Sequence, residues 1–271
     1  MSLELGTSSY SYLWSHPFDK ALEELAGAGF AQVELMACAP HPDRAEGEQA
    51  KLERYARCAE SLEIQIIGVN PPGLDLNLVS PDVSIRELSV ARYLDVVRAS
   101  ALLGAQYLVV VVGRRHPLLP APLNATVEWL KAAIEKILPA ARDAGLEVVL
   151  ENTPSNFLDT AGELSEFIED MGSPEGLSIC YDVANGFMVE NPAEAYERVR
   201  GEVSVVHLSD TSSAVWRHDA IGVGEVDFAT FLDAMHGAPP QFALLETIHP
   251  GDVANGLRRD RARLMETGWA P

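Results

Sequence analysis

Four side chains in this sequence can do chemistry together if the fold sets them side by side. They are Glu151 in VVLENTP, Asp182 in ICYDVAN, His207 in VVHLSD and Glu246 in LLETIHP. Each closes a short apolar run, and successive ones stand 31, 25 and 39 residues apart. Three carboxylates and an imidazole brought together repel one another unless a cation neutralises them. Oxygen donors with one nitrogen suit a divalent ion, Mn²⁺ first, with Mg²⁺, Co²⁺ and Zn²⁺ as alternatives. Such an ion polarises a carbonyl and acidifies the neighbouring C–H. A carboxylate with one oxygen on the ion keeps the other for proton transfer. Glu151 and Glu246, first and last of the set, are the expected acid/base pair, with Asp182 and His207 holding the ion.

The elements that must position these groups can be read from hydrophobic patterning. Eight apolar runs begin at Leu3, Gln32, Ile64, Tyr107, Glu147, Leu177, Val203 and Phe242, and their lack of alternation suits strands covered on both faces. Helical spacing appears over 18–28, 85–103, 127–141, 164–171 and 228–235, and Gly29, Gly104 and Gly145 stand where helices stop before a strand. Alternation of this kind means parallel strands joined by right-handed crossovers. The expected fold class is α/β, a single (β/α)8 TIM barrel over residues 1–271. An open doubly wound sheet would need a phosphate-type glycine loop after its first strand, and GTSSYSYLW is not one. In a barrel, function sits at the C-terminal strand ends, where the four groups lie.

Composition narrows the partners. The 271 residues carry 20 basic and 40 acidic side chains, a net charge of −20, which argues against nucleic acid and anionic membranes. Cys38, Cys58 and Cys180 are too few and too scattered for a disulfide framework or a cysteine-based zinc site. The N-terminus has no basic region followed by an apolar stretch, and a run such as Tyr107–Val112 is too short to cross a bilayer, so a cytoplasmic protein is expected. Lys20, Lys51, Lys131 and Lys136 all fall in helical segments, which leaves no strand-end lysine for Schiff-base chemistry.

The motifs GFAQVEL, LENTP, YDVAN, HLSD, RHDAIGVGEVDF and LLET together resemble the xylose isomerase-like TIM barrel superfamily, in particular its sugar phosphate isomerase/epimerase group. The resemblance implies metal ligands at Glu151, Asp182, His207 and Glu246, with the two glutamates as acid and base, and a substrate contact at Arg217. Asn185 replaces a frequent histidine, and His116 is an imperfect match for another. The implied activity is a divalent-metal-dependent isomerase or epimerase on a sugar, sugar acid or keto-sugar, acting through an enediolate held by the ion. A lyase, either a dehydratase or a β-keto acid decarboxylase, is the alternative on the same barrel. An apurinic endonuclease-like phosphodiesterase is more remote, because such enzymes use many histidines and Trp216 replaces the aspartate of their Asp-x-His motif. A non-catalytic binding protein would be expected to have lost a ligand, and none is lost. The expected partner is a small carbohydrate or keto-acid, with a homodimer or homotetramer as the assembly.

Further residues at the strand ends are candidates for holding substrate. Arg114, Arg115 and His116 follow the fourth strand and suit a phosphate or carboxylate. His218 stands beside Arg217. Asn70 and Glu34 end the third and second strands. Tyr10, Tyr12 and Trp14 follow the first and suit the wall of a sugar pocket. Asn152 is expected to point away from Glu151 and to support it from behind. His16, His41, His236 and His249 read as surface or loop residues.

Overall fold

The structure, a computed structural model, describes residues 3–73 and 75–269; the outer ends of the expected 1–271 unit lie outside them. Eight parallel strands close into a barrel: β1 (Leu5–Ser8), β2 (Gln32–Met36), β3 (Gln65–Asn70), β4 (Tyr107–Val110), β5 (Glu147–Glu151), β6 (Leu177–Asp182), β7 (Val203–Leu208) and β10 (Phe242–Leu245). β10 closes the barrel by pairing with both β7 and β1. Between the strands run helices α1 (Phe18–Gly27), α2 (Gln49–Ser61), α3 (Val83–Leu103), α4 (Leu123–Asp143), α5 (Ala161–Asp170), α6 (Val183–Phe187), α7 (Pro192–Val199) and α8 (Phe228–His236), with α9 (Val253–Thr267) after β10. Among the described residues no helix is long and apolar enough to cross a membrane.

Periodicity locates α1, α3, α4, α5 and α8. It does not separate α2 or α9, whose charged residues leave only a thin buried stripe, such as Leu52, Tyr55 and Ala59 in α2. For α7 the signal lies in capping: Asn191 accepts from the Ala193 and Glu194 amides, and Pro192 opens the helix. A two-stranded antiparallel ribbon, β8 (Asp210–Ser212) with β9 (Val215–Asp219), follows β7 and was not expected.

The core has two parts. A large cluster lies between strands and helices, and a smaller one fills the barrel, with Ile67, Tyr107, Val109, Val149, Cys180, Val205, Phe242 and Leu244 buried inside. Register carries the inward face around the barrel, from Gly6 with Leu244 and Leu244 with His207 to Asp182 with His207. Two bulges correct this alternation. One between β2 and β3 brings Glu34 level with Gly68, and one between β6 and β7 brings Val205 level with Cys180 and His207 level with Asp182. Each bulge turns the rest of its strand over, which is how Asn70 on β3 and His207 on β7 come to face inward, while Glu34 faces inward by the ordinary alternation of β2.

Gly68 pairs with Glu34 on one side and Tyr107 on the other. A Cβ at Gly68 would overlap the Tyr107 ring, so the missing side chain is what admits the ring to the interior. The Gly68→Ala variant is expected to lose about 1–3 kcal/mol of stability to overpacking. Urea unfolding at constant m-value measures it, and an unchanged midpoint would show that the ring has room to move.

Candidate functional site

The four strand-end groups meet at one point. Glu151, Asp182, His207 and Glu246 are all buried, and each offers a ligand atom within 4.8 Å of the others. His207 is central. Its Nδ1 lies 3.2 Å from Glu151 Oε1, 3.3 Å from Glu246 Oε2 and 4.0 Å from Asp182 Oδ2. Its Nε2 lies 3.0 Å from Glu34 Oε2, which also accepts from the Tyr107 hydroxyl at 2.9 Å. Burial, followed by the Glu34 carboxylate, raises Tyr107 well above its ordinary value, so this hydroxyl stays a donor. Once Nδ1 gives up its proton to hold a cation, the carboxylate on Nε2 fixes the tautomer in which that nitrogen keeps its proton. Glu34 is therefore a positioning partner of the histidine.

The donor set fits a hard divalent cation. Asp182 Oδ2 is buried and has no hydrogen-bond partner, although the His207 and His218 imidazoles each stand 4.0 Å from it. Burial raises the Asp182 carboxyl from 3.8 to about 7; Glu246 and Glu151 push the same way, against His218 and His207. Glu151 is also raised, by burial first. Glu246 is burdened by the same burial, but His207 and His218 outweigh it and hold the carboxyl well below its usual range. His218 rises to about 9, because Asp182 and Glu246 outweigh the cost of burying its charge. Such mutual strain is what a cation relieves. Cys180, set aside in the sequence as a zinc ligand, forms a second close group with Glu151 and His207 inside the barrel.

Surrounding contacts fix each carboxylate by one oxygen. Asp182 Oδ1 accepts the Asn185 amide at 2.6 Å and caps α6. Glu246 Oε1 accepts from Asn70 Nδ2 at 3.1 Å, and the same amide reaches Glu34 Oε1 at 3.3 Å. Glu151 Oε2 accepts from the Thr153 hydroxyl at 3.4 Å. Asn152 points away from the cluster and clamps the Asp182 backbone, accepting its N–H at 2.7 Å and donating to its carbonyl at 3.0 Å. His218 Nδ1 lies 3.2 Å from Glu246 Oε2.

Two aspartates absent from the sequence expectations anchor the loops. Asp210 accepts four amides, from Thr211, Gly222, Gly224 and Val226, at 2.8 to 3.1 Å. A Cβ at Gly224 would overlap Thr211 and Asp210, which explains the GVGEV sequence: it wraps a buried carboxylate. Asp260 on α9 accepts from the Ile221 amide and the Thr247 hydroxyl and lies 2.6 Å from His249 Nε2. These partners are mostly backbone amides, which leave no side-chain motif; the glycines of IGVG were the available signal.

A cavity of about 290 Å³ opens above the cluster. Tyr10, Asn70, Arg114, Asn185, Trp216 and His218 line it together with Glu151 and Glu246. Trp216 donates to Asn185 Oδ1 at 2.8 Å, so the asparagine is tied to the ribbon. Arg217 lies outside this cavity, in an adjoining one that shares Tyr10, Trp216 and His218. Several expectations are corrected. Trp14 is 76% exposed and reaches neither cavity, and Tyr12 is buried in the core, because the 3₁₀ turn Tyr10–Tyr12 directs only Tyr10 to the mouth. His116 is exposed, its Nδ1 accepting the Leu118 and Leu119 amides within its own loop. His41 and His249 lie in loops as expected, but they face inward, His41 buried between Ser9 and the His16 carbonyl and His249 packed against Asp260.

A family model described as xylose isomerase-like TIM barrel matches residues 22–267. A probable endonuclease 4 from Methanoculleus marisnigri is 31% identical over 55% of this chain, and the match spans 59% of that protein's length. An L-ribulose 3-epimerase from Mesorhizobium japonicum is 26% identical over 83% of this chain and 75% of its own. The crystal structure of a D-tagatose 3-epimerase-like protein superposes with a TM-score of 0.84 at 20% identity, covering 97% of each chain.

A proton on Asp182 stabilises the metal-free fold fully below 3.8, and this contribution is lost as pH rises through about 7. A cation needs the opposite state, with carboxylates ionised and His207 Nδ1 bare. About one Mn²⁺ per chain is therefore expected, bound more tightly near pH ~8 than near pH ~5.5 and with release of protons. Calorimetry in two buffers of different ionisation enthalpy measures both, and pH-independent binding would remove Asp182 and His207 from the ligands. Glu34→Gln should weaken the same binding by about 10–100-fold; an unchanged affinity would leave Glu34 without its positioning role.

Proposed function

The chain belongs to the xylose isomerase-like TIM barrel family, and from that premise we propose that it is a divalent-metal-dependent epimerase or isomerase of a small ketose or keto-sugar. The observation that carries this reading is the pair Glu151 and Glu246 on either side of His207 Nδ1, beside the unpartnered Asp182 oxygen on the cavity floor. The L-ribulose 3-epimerase relative supports the same reaction class.

Glu151, Asp182, His207 and Glu246 would hold the ion, with Mn²⁺ the first choice for this donor set. When bound, the ion supplies Lewis-acid polarisation of a carbonyl and an adjacent hydroxyl. The protein residues move the proton. Glu246, held by Asn70, takes the proton from the carbon beside the carbonyl, which leaves an enediolate. Glu151 delivers a proton from the other flank, carried on the oxygen it does not give to the ion. Delivery to the same carbon from the opposite face epimerises, and delivery to the neighbouring carbon isomerises. Asn70 keeps the Glu246 carboxylate in place, and His218 fixes its other oxygen. The site's three carboxylates and single ligating histidine, together with a net charge of −20, oppose a nucleic-acid substrate.

With Mn²⁺ and L-ribulose in D₂O, the protein is expected to place solvent deuterium on a carbon next to the carbonyl. Glu246→Gln and Glu151→Gln should each slow that exchange by at least about 100-fold while thermal unfolding stays cooperative. Turnover without deuterium uptake would point to a hydride shift and end the acid/base assignment.

A further inference from the structure

Three basic residues follow β4, and the structure gives them different roles. Arg115 is tied back into its own loop, donating Nε and Nη2 to the Ala121 carbonyl at 2.9 and 2.6 Å. His116 is used up as an acceptor for the Leu118 and Leu119 amides. Arg114 alone of the three lines the cavity above the cluster. Its backbone is held: Asn77 Nδ2 donates to the Arg114 carbonyl at 2.9 Å, and Asn77 packs so closely on Gly113 that a Cβ there would overlap it. Gly113 has φ 100°, so the loop carries Arg114 to the rim through a backbone shape that glycine permits.

The guanidinium has no internal use. Among the described residues it forms no ion pair or hydrogen bond, whereas other arginines of this acidic chain pair with carboxylates, such as Arg98 with Asp95, Arg200 with Glu197 and Arg263 with Glu266. The remaining polar groups of the wall, Asn70, Thr153, Asn156 and Asn185, suffice for sugar hydroxyls. An unpaired guanidinium beside them adds what a neutral sugar does not need: a planar fork matched to a carboxylate or phosphate. In a chain of net charge −20 it is also the local feature that can draw an anion toward an acidic floor.

We propose that Arg114 receives an anionic terminal group, carboxylate or phosphate, of the sugar whose reacting carbons lie at the cluster, a reading that rests on the ketose reaction above. The substrate is thus a keto-sugar acid or keto-sugar phosphate, held by its anion at the rim and by its carbonyl end at the floor.

Three ligands of one skeleton test this: D-fructose, D-fructuronate and D-fructose 6-phosphate, each titrated calorimetrically into the Mn²⁺-loaded protein. One or both anions should bind about tenfold more tightly than fructose, and the preferred one identifies the group. Arg114→Gln should remove that preference, with Arg115→Gln as a control that keeps it. Equal or weaker binding of both anions, or a preference that survives Arg114→Gln, overturns the proposal. Deuterium exchange on the same ligands is read separately. Its absence from all three counts against the ketose reaction, and the charge preference in binding still decides the role of Arg114.

Discussion

Repulsion among buried carboxylates governs this molecule. Glu34, Glu151, Asp182 and Glu246 all come within 4.0 Å of one imidazole at the mouth of the barrel. Like charges about 4 Å apart in a protein of effective dielectric about 20 oppose each other by about 4 kcal/mol per pair. No local packing makes such a group favourable. It persists because the barrel holds it from outside: β-strands fix the Cα positions, Asn152 grips the Asp182 backbone, and Asn70 bridges Glu34 and Glu246. The stabilising burial lies elsewhere, in the large shell of side chains between strands and helices.

That separation explains the two-part core. The outer shell needs only apolar surface of roughly the right volume. The interior is different, because each side chain there also sets the position of a functional group. Gly68 makes space for Tyr107, the Tyr107 hydroxyl orients Glu34, and Glu34 fixes the tautomer of His207. A glycine in a strand, normally a weak choice, is thus the first link in a chain that ends at the imidazole nitrogen facing the cluster.

The strands and the four convergent groups were legible because both rest on local signals: unbroken apolar runs, and charge at their ends. What stayed hidden depends on contacts between distant segments. Whether His207 and Asn70 face inward is decided by bulges at the β6–β7 and β2–β3 pairings, and a bulge belongs to two strands at once. Asp210 and Asp260 were invisible because they bind amides ten or more residues away. Tyr10 could not be told from Trp14, nor Arg114 from His116, since turn geometry selects which neighbour reaches the mouth. The most distinctive sequence segment, RHDAIGVGEVDF, proves to be largely architectural, its glycines folded around Asp210 while His218 reaches the cavity.

The way the carboxylates are tethered sets the denticity of the site. Asp182 spends one oxygen on the α6 cap, Glu246 one on Asn70, and Glu151 one on Thr153. A cation held through the opposite oxygens and His207 Nδ1 would meet four separate donor atoms, and the tethered oxygens of Glu151 and Glu246 would be the ones left to move a proton. Calcium gathers six to eight oxygens and favours carboxylates that bind through both. Such an ion would thereby be disfavoured by hydrogen bonds that never touch it, and the four groups would favour a smaller divalent cation that also accepts oxygens from whatever enters the cavity.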